Sequence, residues 1–209
     1  VRFFIQQEEE FDMEAKEVKL TTKEWANPTA AGLVALAVAC FSFFALLTGR
    51  VEVSAMPLVG CWLLGGFVVQ VIVGLLDLKG GNSTGGNTFL FFSAFFMLVG
   101  GVEMLFKYNA ISAGAPLDGR IDGWAWLVLT LVLYLWTPAF FVKFSMLSLI
   151  VGFLDIALPF IVLTDLGILA KEWSHVAAWA LLCSGIVAIY FSAAIIVNGA
   201  FGRKVYPII

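Results

Sequence analysis

Charge is what this sequence has least of. Lys, Arg, Asp and Glu together make up 13% of its 209 residues, about half the share of an ordinary globular chain. There is one histidine, His175, and the three cysteines, Cys40, Cys61 and Cys183, stand apart inside apolar runs. None has metal-ligand spacing, so no metal is expected and the cysteines read as small packing residues. A net charge of −3 without a basic cluster gives no footing for nucleic acid. No nucleophile stands at a workable spacing from a base, and the glycine run from Gly80 to Gly86 lacks the Gly-Lys-Ser or Gly-Lys-Thr of a phosphate loop. An enzyme is therefore not expected, and no cofactor is called for.

Apolar residues fill that space: 61% of the chain, with 20 Phe and 7 Trp. Six apolar segments run roughly over 29–48, 55–76, 88–106, 124–142, 145–164 and 176–200, each near the ~20 residues needed to cross a bilayer as helix. Strands would leave backbone groups unpaired in lipid, so the expectation is an all-α membrane protein with six transmembrane helices. Residues 1–25 read instead as an acidic tail, cytoplasmic or lying on the membrane surface, and 26–209 as one transport-sized membrane domain. No signal peptide is visible, so the first helix is expected to direct insertion. The weakest division lies between the fourth and fifth segments, marked only by Lys143 and Ser145. With the N-terminus inside, eight Lys and Arg fall on the inner side (Arg2, Lys16, Lys19, Lys23, Lys79, Lys143, Arg203, Lys204) and four on the outer, which predicts both termini in the cytoplasm and a cytoplasmic-membrane location.

Asn27-Pro28 marks the boundary between tail and membrane: Pro suits the first helical turn and Asn the cap before it. Small residues recur along helix faces: Gly32, Ala35, Ala39, Ser42; Gly66, Gln70, Gly74; Ser184, Ala188, Ser192. Close helix packing explains such stripes, and a narrow pore is the alternative that Gln70 favours, since an amide in hydrocarbon needs a partner. Asp155 is the costliest residue, at roughly 3 kcal/mol on insertion scales. It reads either as a neutral hydrogen-bonded acid between helices or as a proton-accepting group on a hydrated path, with Pro159 freeing a carbonyl nearby. His175 is expected at the interface, and Glu103 and Asp77 near helix ends, reaching headgroups.

Three stretches, in order and spacing, resemble the acetate uptake transporter family of bacterial succinate–acetate and fungal acetate permeases. They are Asn27-Pro28 with Gly32-Leu33; Gly86-Asn87-Thr88-Phe89 preceded by Gly74-Leu75-Leu76-Asp77; and Ala188-Ile189-Tyr190 with Asn198 and the ending Phe201-Gly202-Arg203-Lys204-Val205-Tyr206-Pro207. The resemblance implies six helices per protomer, a homo-hexamer with one substrate path in each protomer, and passage of acetate and related small carboxylates as a proton symporter or a channel. It implies substrate contacts at Asn27, Pro28, Asn87 and Thr88, and an apolar constriction at Leu36, Leu98 and Ala157 or Leu158; Gln70 joins the substrate contacts on its own chemistry, as a buried amide in need of a partner. A lengthened loop before Gly86 and the presence of Asp155 depart from the family pattern. The rival readings are a channel for neutral solutes such as urea or amides, and a membrane sensor that transports nothing.

Overall fold

The structure, a computed structural model, describes residues 25–209. Among these, six helices are long and apolar enough to cross a membrane. They are α1 (Thr29–Leu47), α2 (Met56–Lys79), α3 (Ser83–Ala113), α4 (Arg120–Phe141), α5 (Met146–Asp165) and α6 (Ser174–Phe201). Short 3-10 turns at Val53–Ala55 and Lys171–Trp173 lead into α2 and α6. No strand occurs among the described residues, so the chain is an all-α, multi-pass membrane protein with each expected segment on its own helix. Most of the acidic tail lies outside the described residues; at its end, Lys79 Nζ sits 4.9 Å from the centre of the Trp25 ring.

The helix boundaries have local causes. Asn27 Oδ1 accepts a hydrogen bond from Thr29 N at 2.9 Å, and Pro28 is already in the right-handed helical region, as a cap followed by a first-turn proline would be. Between α4 and α5, Ser145 N donates to Ser148 Oγ at 3.0 Å, and Ser148 Oγ donates to Phe140 O at 2.6 Å. One buried serine thus starts α5 and ties it to the end of α4.

The connection expected over Gly80–Gly86 is shorter than its glycines suggest. Gly81, at φ +83°, makes the turn, and α3 starts at Ser83 with Asn82 Oδ1 capping Gly85 N at 3.0 Å. A Cβ on Gly86 would fall 2.8 Å from Leu78 N. These glycines lie in the first turn of α3, where they let it press against the end of α2. Midway along α3, Phe92–Val99 is π-helical.

The helices pack in the order α4–α5–α6–α1–α2–α3. Side chains bring α3 and α4 together: Phe91 with Trp136 (5.8 Å between ring centres), Phe96 with Trp126 (5.7 Å), and the Lys107–Asp122 ion pair. The most extensive pairing joins α1 to α6. There small residues of α6 allow a close approach: Ser192 Oγ donates to Ala30 O at 2.9 Å, and a Cβ on Gly185 would lie 3.0 Å from Cys40 Cβ. Beyond α6, Asn198 Oδ1 accepts from Val205 N and Tyr206 N at 2.7 and 2.8 Å, folding the last residues back onto the helix.

Candidate functional site

Two chambers lie within the bundle, one toward each end. The first, of about 40 Å³, is lined by Thr29, Leu33 and Leu36 of α1, Gln70 and Asp77 of α2, Thr88, Phe89 and Phe92 of α3, Phe140 of α4, and Leu147, Ile150, Val151 and Leu154 of α5, with Asn82 and Gly85 at its edge. By the volume a water needs, this holds about three waters. The second, of about 180 Å³, is lined by Phe43, Leu46 and Leu47, by Phe96, Gly100, Glu103 and Lys107, by Trp126, by Ile161, Thr164 and Asp165, and by Ser174 and Leu181.

Four helices contribute to both chambers, each with a different half; α4 gives Phe140 to the first and Trp126 to the second. On α1 the lining passes from Leu36 to Phe43, on α3 from Phe92 to Phe96, and on α5 from Leu154 to Ile161. The interval is roughly 10 Å of helix on α1 and α5 and about 6 Å on α3, at ~1.5 Å per residue. What fills that interval is apolar and packed. Leu36 and Phe92 are buried, Ala157 and Leu158 are 0% and 3% exposed, and the Phe43 and Phe96 rings stack at 5.2 Å. A dry segment of this kind opposes a bare ion far more than a neutral molecule.

Polar groups gather at the outer part of each chamber. Gln70 is 1% exposed; its Nε2 donates to Gly32 O at 3.3 Å, and its Oε1 has no protein partner. The amide orientation follows from chemistry, because a carbonyl oxygen at Gly32 can only accept. Asp77, 5% exposed, accepts from Asn82 Nδ2 at 3.1 Å. A Cβ on Gly85 would come within 2.8 Å of Asp77 Oδ2, so the glycine lets the start of α3 close over this carboxylate. In the second chamber Lys107 bridges Glu103, at 3.1 Å, and Asp122, with Asp165 beside them on the chamber wall. Outside the membrane segments, Arg120 grips Asp118 through two contacts of 2.8 and 2.7 Å and holds that exposed carboxyl down to about 2.

The sequence-derived candidates divide cleanly. Leu36, Gln70 and Thr88 line the first chamber, and Ala157 and Leu158 lie in the packed interval between the two. Asn27 is exposed and spends its side-chain oxygen on the start of α1, with half-buried Pro28 beside it; Thr29, next in sequence, is the residue that reaches the chamber. Asn87 is exposed and bonded to Ser83 O at 2.8 Å, on a groove with Leu135 and Trp136 outside the chamber. Leu98 is half-buried and lines neither chamber; Phe92 and Phe96 occupy the α3 positions.

Asp155 also lies off both chambers, between α5 and α4. Its Oδ2 is 2.7 Å from Thr137 Oγ1, and Tyr134 Oη donates to the Asp155 carbonyl at 2.9 Å. That carbonyl is the one Pro159, four residues on, leaves without a helical donor. Asp77 and Glu103 correct the expectation that they reach headgroups: both face chambers. The signal for Asp77 was present, since Gly66, Gln70 and Gly74 extend at helical spacing to residue 77. Glu103 and Lys107 are likewise an i,i+4 pair.

The succinate-acetate/proton symporter SatP of Escherichia coli (strain K12) is 29% identical to this chain over 192 residues, covering 88% of this chain and 95% of the relative. The chain is a homologue of SatP. SatP of Shigella flexneri matches with the same identity and coverage. A solved structure of the bacterial acetate channel SatP superposes with a TM-score of 0.76 at 20% identity, over 88% of this chain and 99% of that one. It bears out the six-helix fold. No protein-family model matches the chain. The names of these relatives describe transport, not catalysis, and the likeness to SatP bears out the resemblance carried by the three motif stretches.

Proposed function

We propose that this chain provides a transmembrane path for acetate and related small carboxylates, running from one chamber to the other through the apolar interval. The observation that carries the reading is the pair of chambers in line, each with polar groups outward and a shared dry segment between, in a homologue of SatP. Gln70 and Thr88 supply polar contacts in the first chamber. Leu36, Phe92 and Leu154, with Ala157 and Leu158 behind them, form the gate. Asn27 and Pro28 act by fixing the start of α1, which sets Thr29 at the chamber mouth. Asn87 and Leu98 act at second hand, through the helix surface that carries Thr88 and Phe96. Asp155 fits a neutral acid that locks α4 to α5.

In this reading the protein sits in the cytoplasmic membrane with both termini inside, residues 1–25 as an acidic appendage, and protomers joined as a homo-hexamer with one path each. Protons accompany the substrate. The test is uptake of labelled acetate, succinate and urea into liposomes holding the pure protein, at two pH values. Acetate flux well above protein-free liposomes is expected, and greater at the lower external pH. Urea flux with no carboxylate flux would overturn the reading in favour of a neutral-solute channel.

A further inference from the structure

We infer that Asp77 is the group that hands the transported proton to the substrate, so that the carboxylate crosses the apolar interval as its neutral acid. The inference rests on the proposed carboxylate path. It starts from a mismatch of hydrogen-bonding capacity. Besides the Thr29 hydroxyl, the first chamber presents two acceptors, the Asp77 carboxylate and Gln70 Oε1, the latter buried and without a partner. The Asn82 amide and the Thr88 hydroxyl donate to Asp77 and to Thr84 O. Gln70 has already committed Nε2 toward Gly32 O. A carboxylate is acceptor-only, whereas a carboxylic acid carries one O–H donor. The chamber therefore complements the acid.

Asp77 is placed to make it. Asn82 Nδ2 donates to its Oδ2 at 3.1 Å, and the same Asn82 caps α3 through Oδ1, so the carboxylate left after proton transfer keeps a donor at a helix N-terminus, where negative charge is favoured. The groups packed about it are uncharged: Thr29 of α1, Asn82 and Gly85 at the start of α3, and Phe140 and Leu147 across the chamber. Among the described residues the nearest cation in sequence, Lys79, is turned to the Trp25 ring. Two carboxylates in a chamber this small hold a proton between them, as paired carboxylates do. The step balances: Asp77 COOH and the substrate carboxylate become Asp77 carboxylate and the neutral acid, whose O–H turns to Gln70 Oε1. Water at the chamber mouth restores the Asp77 proton. One proton thus moves with each carboxylate, and the transfer is electroneutral.

The test measures acetate uptake into proteoliposomes under an imposed potassium diffusion potential, with an internal pH dye and subtraction of protein-free liposomes. Wild type is expected to show rates unchanged by the potential and one proton per acetate. In Asp77→Asn the rate becomes potential-dependent by several-fold and proton uptake falls away, and Asp77→Glu restores wild-type behaviour. An Asp77→Asn protein that stays electroneutral overturns the assignment alone; wild type that moves no carboxylate overturns the path as well. Asn82→Ser keeps a capping oxygen but removes the Nδ2 amide that reaches Asp77. It is expected to shift the pH of half-maximal flux upward, because the charged form loses support, and an unmoved profile counts against the assignment even if Asp77→Asn fails to assemble.

Discussion

Gln70 shows how a single side chain can be placed for function at no benefit to stability. Its oxygen is buried and unpartnered, and its one contact, to Gly32 O, is long at 3.3 Å. A buried amide in that state is weakly stabilising at best, since an unsatisfied acceptor offsets the bond its nitrogen makes. Gln70→Leu, close in volume, should leave thermal stability within about 1 kcal/mol of wild type. Acetate flux should fall by about tenfold, the equivalent of one lost hydrogen bond of ~1.4 kcal/mol in the rate-limiting state. A melting curve and an uptake assay on the same preparation separate the two effects. Gln70 could be singled out from sequence because an amide among Val, Gly and Leu is costly wherever it points. Asp77 was harder to read: a carboxylate near a helix end has headgroups within reach, and only the Gly85–Asp77 approach closes that exit.

At the scale of elements, hydropathy located every helix, and the Ser145 cap justified dividing a long apolar run into α4 and α5. The inward face of α3 was not legible. Its lining residues recur at intervals of four, Thr88, Phe92, Phe96 and Gly100. An α-helix drifts about 40° with each such step, and the π-helical turns of Phe92–Val99 offset that drift. Extrapolating α periodicity through this segment misplaces residues beyond it; Leu98, named through the resemblance, lies within it and lines neither chamber. A residue taken out of a π segment returns it to α geometry with both flanks in register, whereas one taken out of a plain helix rotates everything beyond it by about 100°. Deletion of Ala94 should therefore yield a monodisperse protein with a modestly lowered melting temperature. Deletion of Val69, mid-way along α2, should not yield folded protein. Size-exclusion profiles of the two deletions after detergent extraction make the comparison.

For the whole molecule, six crossings put residues 25–28, the α2–α3 turn, the α4–α5 turn and the C-terminal residues on one face, with the α3–α4 connection on the other. Among the described residues Lys and Arg divide evenly, with Lys79, Lys143, Arg203 and Lys204 on the first face and Arg50, Lys107, Arg120 and Lys171 on the other, so the proposed cytoplasmic assignment of the first face rests on Arg2, Lys16, Lys19 and Lys23 of the tail. In a background with Cys40, Cys61 and Cys183 replaced, Lys79→Cys and Lys204→Cys should react with an impermeant maleimide only in inverted vesicles, and Leu117→Cys only in intact cells or spheroplasts. The reverse pattern would turn the orientation over without touching the fold.

The order of packing around the bundle also bears on how the protein is made. The most extensive helix pairing joins α1 to α6, the earliest and latest of the six described helices in chain order. About 130 residues of synthesis separate the two, or roughly 7 to 25 s at ~5–20 residues per second. Until then the face of α1 that carries Ala30 and Cys40, with Ala30 O awaiting Ser192, lacks the partner it has in the finished bundle. For that interval this face of α1 must be covered by lipid or by an insertion factor, and a ribosome stalled anywhere before α6 leaves α1 held by α2 on one side only. Quality control in the membrane therefore has a late event to watch, the docking of α6 onto α1.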